Sequence, residues 1–203
     1  MTEAERLAKI IELLERAEPA PKPALRYRDA WELLVATVLS AQTTDARVNQ
    51  TTPALFARYP TPEALAAADP REVEELIRSI GLFRTKSRNL VALAGRIAGE
   101  HGGRVPDERD ALERLPGVGR KTASVVLAQG FEVPAFAVDT HVGRVVMRLG
   151  FSPTKEPRRA EEAVTALLEP RLWGKAHLLL IRHGRTLCTS QRPRCPICPV
   201  REL

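Results

Sequence analysis

Apolar residues recur three or four positions apart along most of the chain, which is the spacing that places them on one face of an α-helix. The segment from Glu3 to Ala17 predicts an amphipathic helix, because its charged side chains lie opposite an apolar face. That face consists of Leu7, Ile10, Ile11 and Leu14. No segment shows the strict alternation of apolar and polar residues that predicts a half-buried strand. The pattern therefore predicts an all-α fold of about ten short helices.

The next helical segment is apolar on almost every side. Asp29 and Glu32 fit a capping box at its start, and the residues from Leu33 to Leu39 are nearly all apolar. We therefore expect this helix to be buried. Three prolines precede it and predict a stiff connection at the boundary between two helical bodies. They are Pro19, Pro21 and Pro23.

Capping residues mark where further helices begin. Asp45 is expected to cap one helix. The pairs Thr61-Pro62 and Asp69-Pro70 each place a proline at the first helical position, directly after an N-cap residue. Apolar periodicity predicts three more helices, over residues 139–149, 158–168 and 172–184.

The stretch from 115 to 130, LPGVGRKTASVVLAQG, predicts a tight turn between two helices. Gly117 and Gly119 flank Val118, and because they lack a Cβ they permit positive φ and the close approach of an anion. The free N–H groups of the second helix and the positive end of its dipole suit a phosphodiester. Such a contact reads no bases, so it would hold nucleic acid of any sequence.

Two cations strengthen this interpretation. Arg120 and Lys121 occupy the first turn of the second helix, where the dipole disfavours positive charge unless an anion offsets it. Glycine and proline also form turns between helices that bind nothing. The motif alone therefore leaves both a plain turn and a nucleic-acid contact open.

Two loops share features with nucleic-acid contacts. Residues 40–45, SAQTTD, are small and polar and follow the buried helix, which is also typical of an ordinary loop. In IGLF at 80–83, the glycine interrupts the helical pattern and leaves two large apolar side chains at a loop. Such tips usually fold back on the core, but side chains that wedge between bases have the same composition. Three basic residues without an acid follow, at Arg84, Lys86 and Arg88.

Composition and charge narrow the class of protein. With 203 residues, of which 44% are hydrophobic, the chain can bury a real core. The net charge is +6 and most of the basic residues are arginine, which suits phosphate recognition but can also reflect genome composition. The longest uncharged apolar run, residues 33–44, is shorter than the roughly 20 residues that span a bilayer. We therefore expect a soluble, intracellular protein without a membrane partner.

All three cysteines lie near the C-terminus, at Cys188, Cys195 and Cys198 in the pattern C-x6-C-x2-C. Close cysteines in an intracellular chain favour a metal, because thiolates are soft ligands that zinc and iron–sulfur clusters both select. Either centre needs four ligands, and the sequence shows three. Arg192 and Arg194 lie within the first cysteine loop and are expected to face phosphate.

Five segments together resemble the endonuclease III family of helix-hairpin-helix DNA glycosylases. They are LLVATVLSAQTTD at 33–45, IGLFRTK at 80–86, LPGVGRKTA at 115–123, VDTH at 138–141 and CTSQRPRCPIC at 188–198. The resemblance implies a bifunctional enzyme of base excision repair that removes oxidised pyrimidines and nicks abasic sites by β-elimination. It also implies that Lys121 is the amine nucleophile, its pKa lowered at the positive helix end, and that Asp139 is the catalytic carboxylate.

The resemblance also implies which residues contact DNA. Gln42 and Leu82 would fill and wedge the space left by a flipped nucleotide. The remaining contacts would come from the hairpin and the cysteine loop, through Gly117, Val118, Gly119, Arg120, Thr122, Arg192 and Arg194. The expected partner is double-stranded DNA with damaged pyrimidines or abasic sites, bound by a monomer associated with the nucleoid in the cytoplasm.

For the fold, the resemblance implies two helical lobes with DNA in the cleft between them. Residues 24–133 would form a six-helix lobe with the hairpin, and residues 1–23 plus 134–203 a discontinuous lobe. That lobe would hold a [4Fe–4S] cluster on Cys188, Cys195 and Cys198. The family pattern puts the fourth ligand at position 204, one residue past the sequence, so a trimmed sequence is expected.

Three alternatives remain at this point. A mispair glycosylase or a pyrimidine-dimer glycosylase would share the same scaffold, since lesion choice depends on pocket shape. A non-catalytic DNA-binding module would need the phosphate contacts but neither Lys121 nor Asp139.

Overall fold

A computed structural model describes residues 1–19 and 21–203, and its described residues form α-helices and two 3-10 turns with no β-strand. The all-α prediction is therefore confirmed. The helices are α1 (Glu3–Ala17), α2 (Ala30–Leu39), α3 (Asp45–Arg58), α4 (Pro62–Ala66), α5 (Pro70–Leu76), α6 (Phe83–Glu100), α7 (Arg109–Glu113), α8 (Arg120–Gly130), α9 (Thr140–Arg148), α10 (Pro157–Leu167) and α11 (Trp173–Thr186). None of them is both long and apolar enough to cross a membrane.

The chain divides into two compact units. One, the hairpin unit, comprises residues 24–133, and the other, the cysteine unit, comprises residues 1–23 and 134–203. The hairpin unit contains α2 to α8, of which α4 and α7 are only five residues long.

The core of the hairpin unit is built around α2. Its residues from Trp31 to Leu39 are all buried, as the apolar run predicts, and α3, α6 and α8 pack around it. Only half of the predicted capping box forms. Asp29 Oδ1 accepts a hydrogen bond from Glu32 N, but the Glu32 carboxylate accepts from Arg28 N and Nε. The guanidinium is a charged donor, and a charge-assisted bond is stronger than one to a neutral backbone N–H.

Of the three other caps predicted in this unit, two are correct. Thr61 and Asp69 cap α4 and α5, each followed by proline. The third lies one residue earlier than predicted, because the Thr44 hydroxyl accepts from Arg47 N and makes Asp45 the first residue of α3. A carboxylate there still interacts favourably with the positive end of the helix.

The cysteine unit has a separate apolar core. The four apolar residues of α1 are each at most 4% exposed, and they pack with apolar side chains of α9, α10 and α11. The predicted amphipathic face of α1 is therefore confirmed. The three later helices also form, with ends within two residues of those predicted. Asp139, predicted to open a helix, is the N-cap of α9.

Candidate functional site

The hairpin joins α7 to α8 through a turn with one left-handed residue. Gly117 has φ of 78°, and a Cβ added there would lie 3.1 Å from Nδ2 of Asn89. Gly119 has φ of −103° and ψ of 177°, so of the two glycines that permit positive φ only Gly117 adopts it. The reason is that Gly119 is the N-cap of α8, a position with extended backbone. A Cβ at Gly119 would meet no atom within 4 Å.

The N-terminus of α8 has the electrostatic character expected of an anion contact. No side chain caps it, and its first turn contains no acidic residue. Arg120 and Lys121 are both exposed in that turn, and Thr122 is half-buried. Val118 is only 6% exposed, so contact with a large ligand at this residue would come mainly from its backbone.

The helix behind this turn is fixed in position. The residues from Ala123 to Leu127 are buried, and α8 packs on α2 and α7. Arg96 of α6 donates to the Arg114 carbonyl just before the turn, at 2.8 Å. Lys121 therefore projects from a rigid element, as a reacting group must.

Asp139 is half-buried at the start of α9. Its Oδ1 accepts hydrogen bonds from His141 N at 2.9 Å and from Val142 N at 2.8 Å. The segment before it is buried, and His177 Nδ1 lies 2.8 Å from the Ala137 carbonyl. Both of the bonds to the helix start use Oδ1 and neither uses Oδ2. One oxygen thus caps the helix, and the other can accept a proton.

The two predicted reading residues have unusual backbone conformations. Gln42 has φ of 54° and Leu82 has φ of 59°, both in the left-handed region that non-glycine residues rarely adopt. Gln42 is exposed, and Leu82 is 59% exposed despite its apolar side chain. Strained residues of this kind cluster at binding sites and need support from the surrounding structure.

One of the basic residues that follow the Leu82 loop is buried. Of the three cations predicted beside the Leu82 loop, Arg84 and Arg88 are exposed but Lys86 is buried. Its ammonium bonds to backbone and hydroxyl oxygens of the loop that contains Gln42. Burial lowers the pKa of Lys86. Helical periodicity could have indicated the burial of Lys86, because this residue lies four positions before Leu90 on the apolar face of α6.

The cysteine loop is anchored to α9 by two arginines that the sequence did not single out. Arg144 donates to the carbonyls of Cys188 and Gly184, at 3.0 and 2.7 Å. Arg148 donates to two further carbonyls in the loop, those of Thr189 and Ser190. These bonds tie the loop to α9.

The Cys198 thiol lies beside a buried histidine. Cys198 Sγ is 3.7 Å from His183 Nε2. Burial raises the pKa of the Cys198 thiol, a backbone hydrogen bond from Val200 opposes this, and the charges of Cys188 and Cys195 add to the rise. Burial also lowers the pKa of His183, which favours the neutral imidazole.

The donor set fits an iron–sulfur cluster only in part. Thiolates are the ligands such clusters require, but a four-iron cluster takes four of them, and the chain has three cysteines. Within residues 1–19 and 21–203, no three metal-binding side chains have the arrangement of a metal site. Arg192 and Arg194 are exposed on this loop, as predicted, and Thr189 Oγ1 donates to the Arg192 carbonyl at 2.8 Å.

Comparisons with known proteins agree with the fold and the hairpin. A family described as "HhH-GPD superfamily base excision DNA repair protein" matches residues 35–170. Endonuclease III of Rickettsia conorii is 42% identical over 200 residues, which cover 98% of this chain and 95% of that relative. Endonuclease III of Escherichia coli strain K12 is 39% identical over 203 residues, covering 100% and 96%.

Solved structures of Endonuclease III bound to DNA also match this chain. A non-covalent Endonuclease III–DNA complex matches with a TM-score of 0.94 and 42% identity, covering 100% of this chain and 95% of that one. A trapped covalent Endonuclease III–DNA intermediate matches with a TM-score of 0.93 and 42% identity, covering 98% and 94%.

The fold, the hairpin and the family match define a helix-hairpin-helix protein of base excision DNA repair. Within that class, the chain belongs to the endonuclease III family. It is accordingly an enzyme, a DNA glycosylase and abasic-site lyase. This assignment is favoured over the mispair glycosylase, the pyrimidine-dimer glycosylase and the non-catalytic module.

Proposed function

We propose that this enzyme removes oxidised pyrimidines from double-stranded DNA and then cleaves the abasic strand, with Lys121 as its nucleophile. The observation that carries this proposal is the exposed Lys121 on the uncapped first turn of the rigid helix α8. A relative of 42% identity has been trapped as a covalent protein–DNA intermediate, which supports covalent chemistry here as well. Lys121 is an amine in a position to form such a bond.

The proposed reaction begins with the neutral amine of Lys121. Its nitrogen attacks C1′ of the damaged nucleotide, the bond from C1′ to the base breaks, and the base leaves with the bonding electrons and one proton of the amine, which Asp139 would pass on. The sugar opens when O4′ leaves C1′ with the second amine proton, which gives an imine. The protonated form of this imine withdraws electrons and makes a proton at C2′ acidic. Loss of that proton breaks the bond from C3′ to the phosphate oxygen. Water then hydrolyses the imine and releases Lys121.

Asp139 is proposed as the carboxylate that accepts the proton of Lys121 and stabilises positive charge at the sugar. Its Oδ1 bonds to the start of α9 and holds the side chain in one orientation. Its Oδ2 then remains to accept a proton. A single residue can serve as both helix cap and catalytic group, because the two roles use different oxygens.

DNA binding is proposed to combine phosphate contacts with two inserted side chains. The N–H groups at the hairpin, with Arg120, Thr122, Arg192 and Arg194 nearby in sequence or on the cysteine loop, would hold phosphates regardless of base sequence. Gln42 would hydrogen-bond the orphan base and Leu82 would wedge the stack. Both would offset the few kcal/mol lost when a nucleotide is extruded.

Borohydride trapping tests the nucleophile. On abasic or oxidised-pyrimidine duplexes, the reductant should convert the imine into a stable protein–DNA adduct, and chelators should not prevent it. Lys121→Gln should abolish both adduct and nicking yet keep much of the DNA binding. Arg120→Gln is the matched control in the same helical turn, and it should weaken binding while still forming adduct. Undiminished adduct in Lys121→Gln would assign the reaction to another amine, such as the N-terminus.

We also propose that Cys188, Cys195 and Cys198 supply three ligands of a [4Fe–4S] cluster, with a fourth cysteine expected at position 204. The cluster would stabilise the cysteine loop and take no part in the lyase steps, which need no electron transfer. The enzyme is further proposed to act as a monomer on chromosomal DNA at the nucleoid. Light scattering of the free protein and of its DNA complex would test the monomer.

A further inference from the structure

The buried Lys86 makes three hydrogen bonds to one short loop. Its Nζ donates to the Leu39 carbonyl at 2.8 Å, to the Ala41 carbonyl at 2.6 Å and to the Thr43 hydroxyl at 3.2 Å. An ammonium group has three protons, and this geometry uses all of them. Two of the acceptors lie on either side of Gln42 in the sequence.

These bonds extend the capping of α2, whose C-cap residue Ser40 already bonds to the carbonyls of the last helical turn but not to that of Leu39. The last carbonyls of a helix have no partner within the helix, and a cation often satisfies them. In the described part of the chain, no backbone N–H donates to the carbonyl of Leu39 or of Ala41. Lys86 supplies those donors from α6, a different element, and no carboxylate pairs with its ammonium among the described residues.

Lys86 also connects directly to the second loop. Its backbone N–H donates to the Leu82 carbonyl at 3.0 Å, in the first turn of α6. The two loops are in contact as well, since a Cβ added at Gly81 would lie 3.4 Å from the Gln42 carbonyl oxygen. One residue thus bonds to Leu82 through its backbone and to both sides of Gln42 through its side chain.

We infer that Lys86 is a positioning residue, which holds the Gln42 and Leu82 loops in a fixed mutual arrangement for base extrusion. This inference rests on the proposed gap-filling role of those two side chains. Both residues have left-handed backbone conformations, which relax unless neighbouring bonds hold them. Without the ammonium, the Leu39 carbonyl loses its donor, the Ala41 carbonyl keeps only its bond from the Thr43 hydroxyl, and the Gln42 loop loses its side-chain link to α6.

Hydrogen exchange tests the positioning role without reference to activity. In Lys86→Met, which keeps the side-chain length but lacks the ammonium, amides at 40–43 and 80–83 should exchange about ten-fold faster. Ile97→Ala is the matched control, because it removes buried volume from the same helix three turns away. Unchanged exchange in Lys86→Met, or an equal increase in Ile97→Ala, would overturn the inference.

Single-turnover kinetics test the consequence for the reaction. Lys86→Met should slow excision from a lesion duplex by about ten- to a hundred-fold, because small misplacements in a site cost that much. Cleavage of a preformed abasic site, where extrusion costs less, should fall by less than about three-fold. Ile97→Ala should leave the ratio of the two rates unchanged. Equal losses on both substrates in Lys86→Met would contradict a role through the loops.

Two milder substitutions, at Thr43, test the inference even if Lys86→Met does not fold. Thr43→Val removes one acceptor of Lys86 and should lower the ratio of the lesion-excision rate to the abasic-cleavage rate by about three-fold. Thr43→Ser keeps the hydroxyl and should match wild type. Identical behaviour of the two Thr43 variants would count against the inference.

A double-mutant comparison separates this inference from the proposed function. In a background of Gln42→Ala with Leu82→Ala, Lys86→Met should add less than about three-fold, because its effect passes through those residues. A full additional loss would overturn the inference. If borohydride gave no adduct with wild type while the hydrogen exchange of the two loops still depended on Lys86, the assignment of Lys121 as nucleophile would be wrong and the positioning role of Lys86 would still be supported.

Discussion

The two glycines of the hairpin allow stability and DNA binding to be tested separately. Gly117→Ala places a Cβ at φ of 78°, 3.1 Å from Nδ2 and 3.3 Å from Cβ of Asn89. A left-handed alanine costs about 1–2 kcal/mol. Since Cβ of Asn89 is fixed to α6, the contact adds to that cost. For a chain of this size, each kcal/mol lowers Tm by about 2–4 °C, so we expect a loss of several degrees.

Gly119→Ala should leave stability nearly unchanged but weaken DNA binding. Its backbone is extended and its Cβ would meet no atom within 4 Å, so the native state is unstrained. The unfolded chain loses about 0.4–1 kcal/mol of conformational freedom, while alanine is a poorer N-cap than glycine. These effects nearly cancel. The new methyl group would, however, occupy the space through which a phosphate reaches the N–H groups of α8, so duplex affinity should fall by about ten-fold.

The assays are thermal unfolding and equilibrium binding to an undamaged duplex at fixed salt, since phosphate contacts depend on ionic strength. Equal Tm values for Gly117→Ala and Gly119→Ala would refute the conformational argument. Wild-type affinity in Gly119→Ala would refute the assignment of the hairpin as a phosphate site, whatever happens to stability.

Three further predictions concern other residues of the enzyme. Asp139→Asn should keep Tm within about 2 °C, because asparagine also caps helices, but should slow base removal by orders of magnitude and abasic cleavage less; equal losses on both would argue against a role in base departure. Protein extended with a cysteine at position 204 should be brown, and Cys195→Ser should bleach and destabilise it, whereas a colourless protein with stoichiometric zinc would exclude iron. Burial lowers the pKa of Lys86 in the folded state, so between that lowered pKa and the ordinary value of 10.5 the unfolded chain binds more protons than the folded one. The stability of wild type relative to Lys86→Met should therefore rise with pH in this window, and a constant difference in denaturation midpoint would contradict this.

Features set by neighbouring residues could be predicted from the sequence. The predicted limits of α1 agree with the structure because a threonine cap and four apolar residues at helical spacing specify it locally. The caps of α4 and α5 are equally local. The hairpin also follows from its own composition, apart from the backbone of Gly119, because whether a glycine uses positive φ depends on where the next helix begins.

Features set by distant residues could not be predicted in this way. In the sequence, Lys86 is only one of three basic residues after the Leu82 loop, and its bonds to the Gln42 loop could not be predicted because its acceptors lie 43 to 47 positions away. Arg144 and Arg148 anchor a loop about as far along the chain. The roles of Lys121 and Asp139 came from family resemblance, and periodicity alone would have assigned Asp139 only as a helix cap.

The loops of Gln42 and Leu82 combine a locally unfavourable backbone with support from a distant residue. Gln42 and Leu82 each have a left-handed backbone that costs about 1–2 kcal/mol, and no glycine relieves the strain at either position. Local sequence therefore disfavours the conformation that each loop adopts. The bonds of Lys86 to Leu39, Ala41 and Thr43 oppose that tendency from another helix. Under the proposed gap-filling role of Gln42 and Leu82, the arrangement of these loops would depend on the buried Lys86, and a substitution of Lys86 would change lesion excision although every residue proposed to contact DNA stays the same.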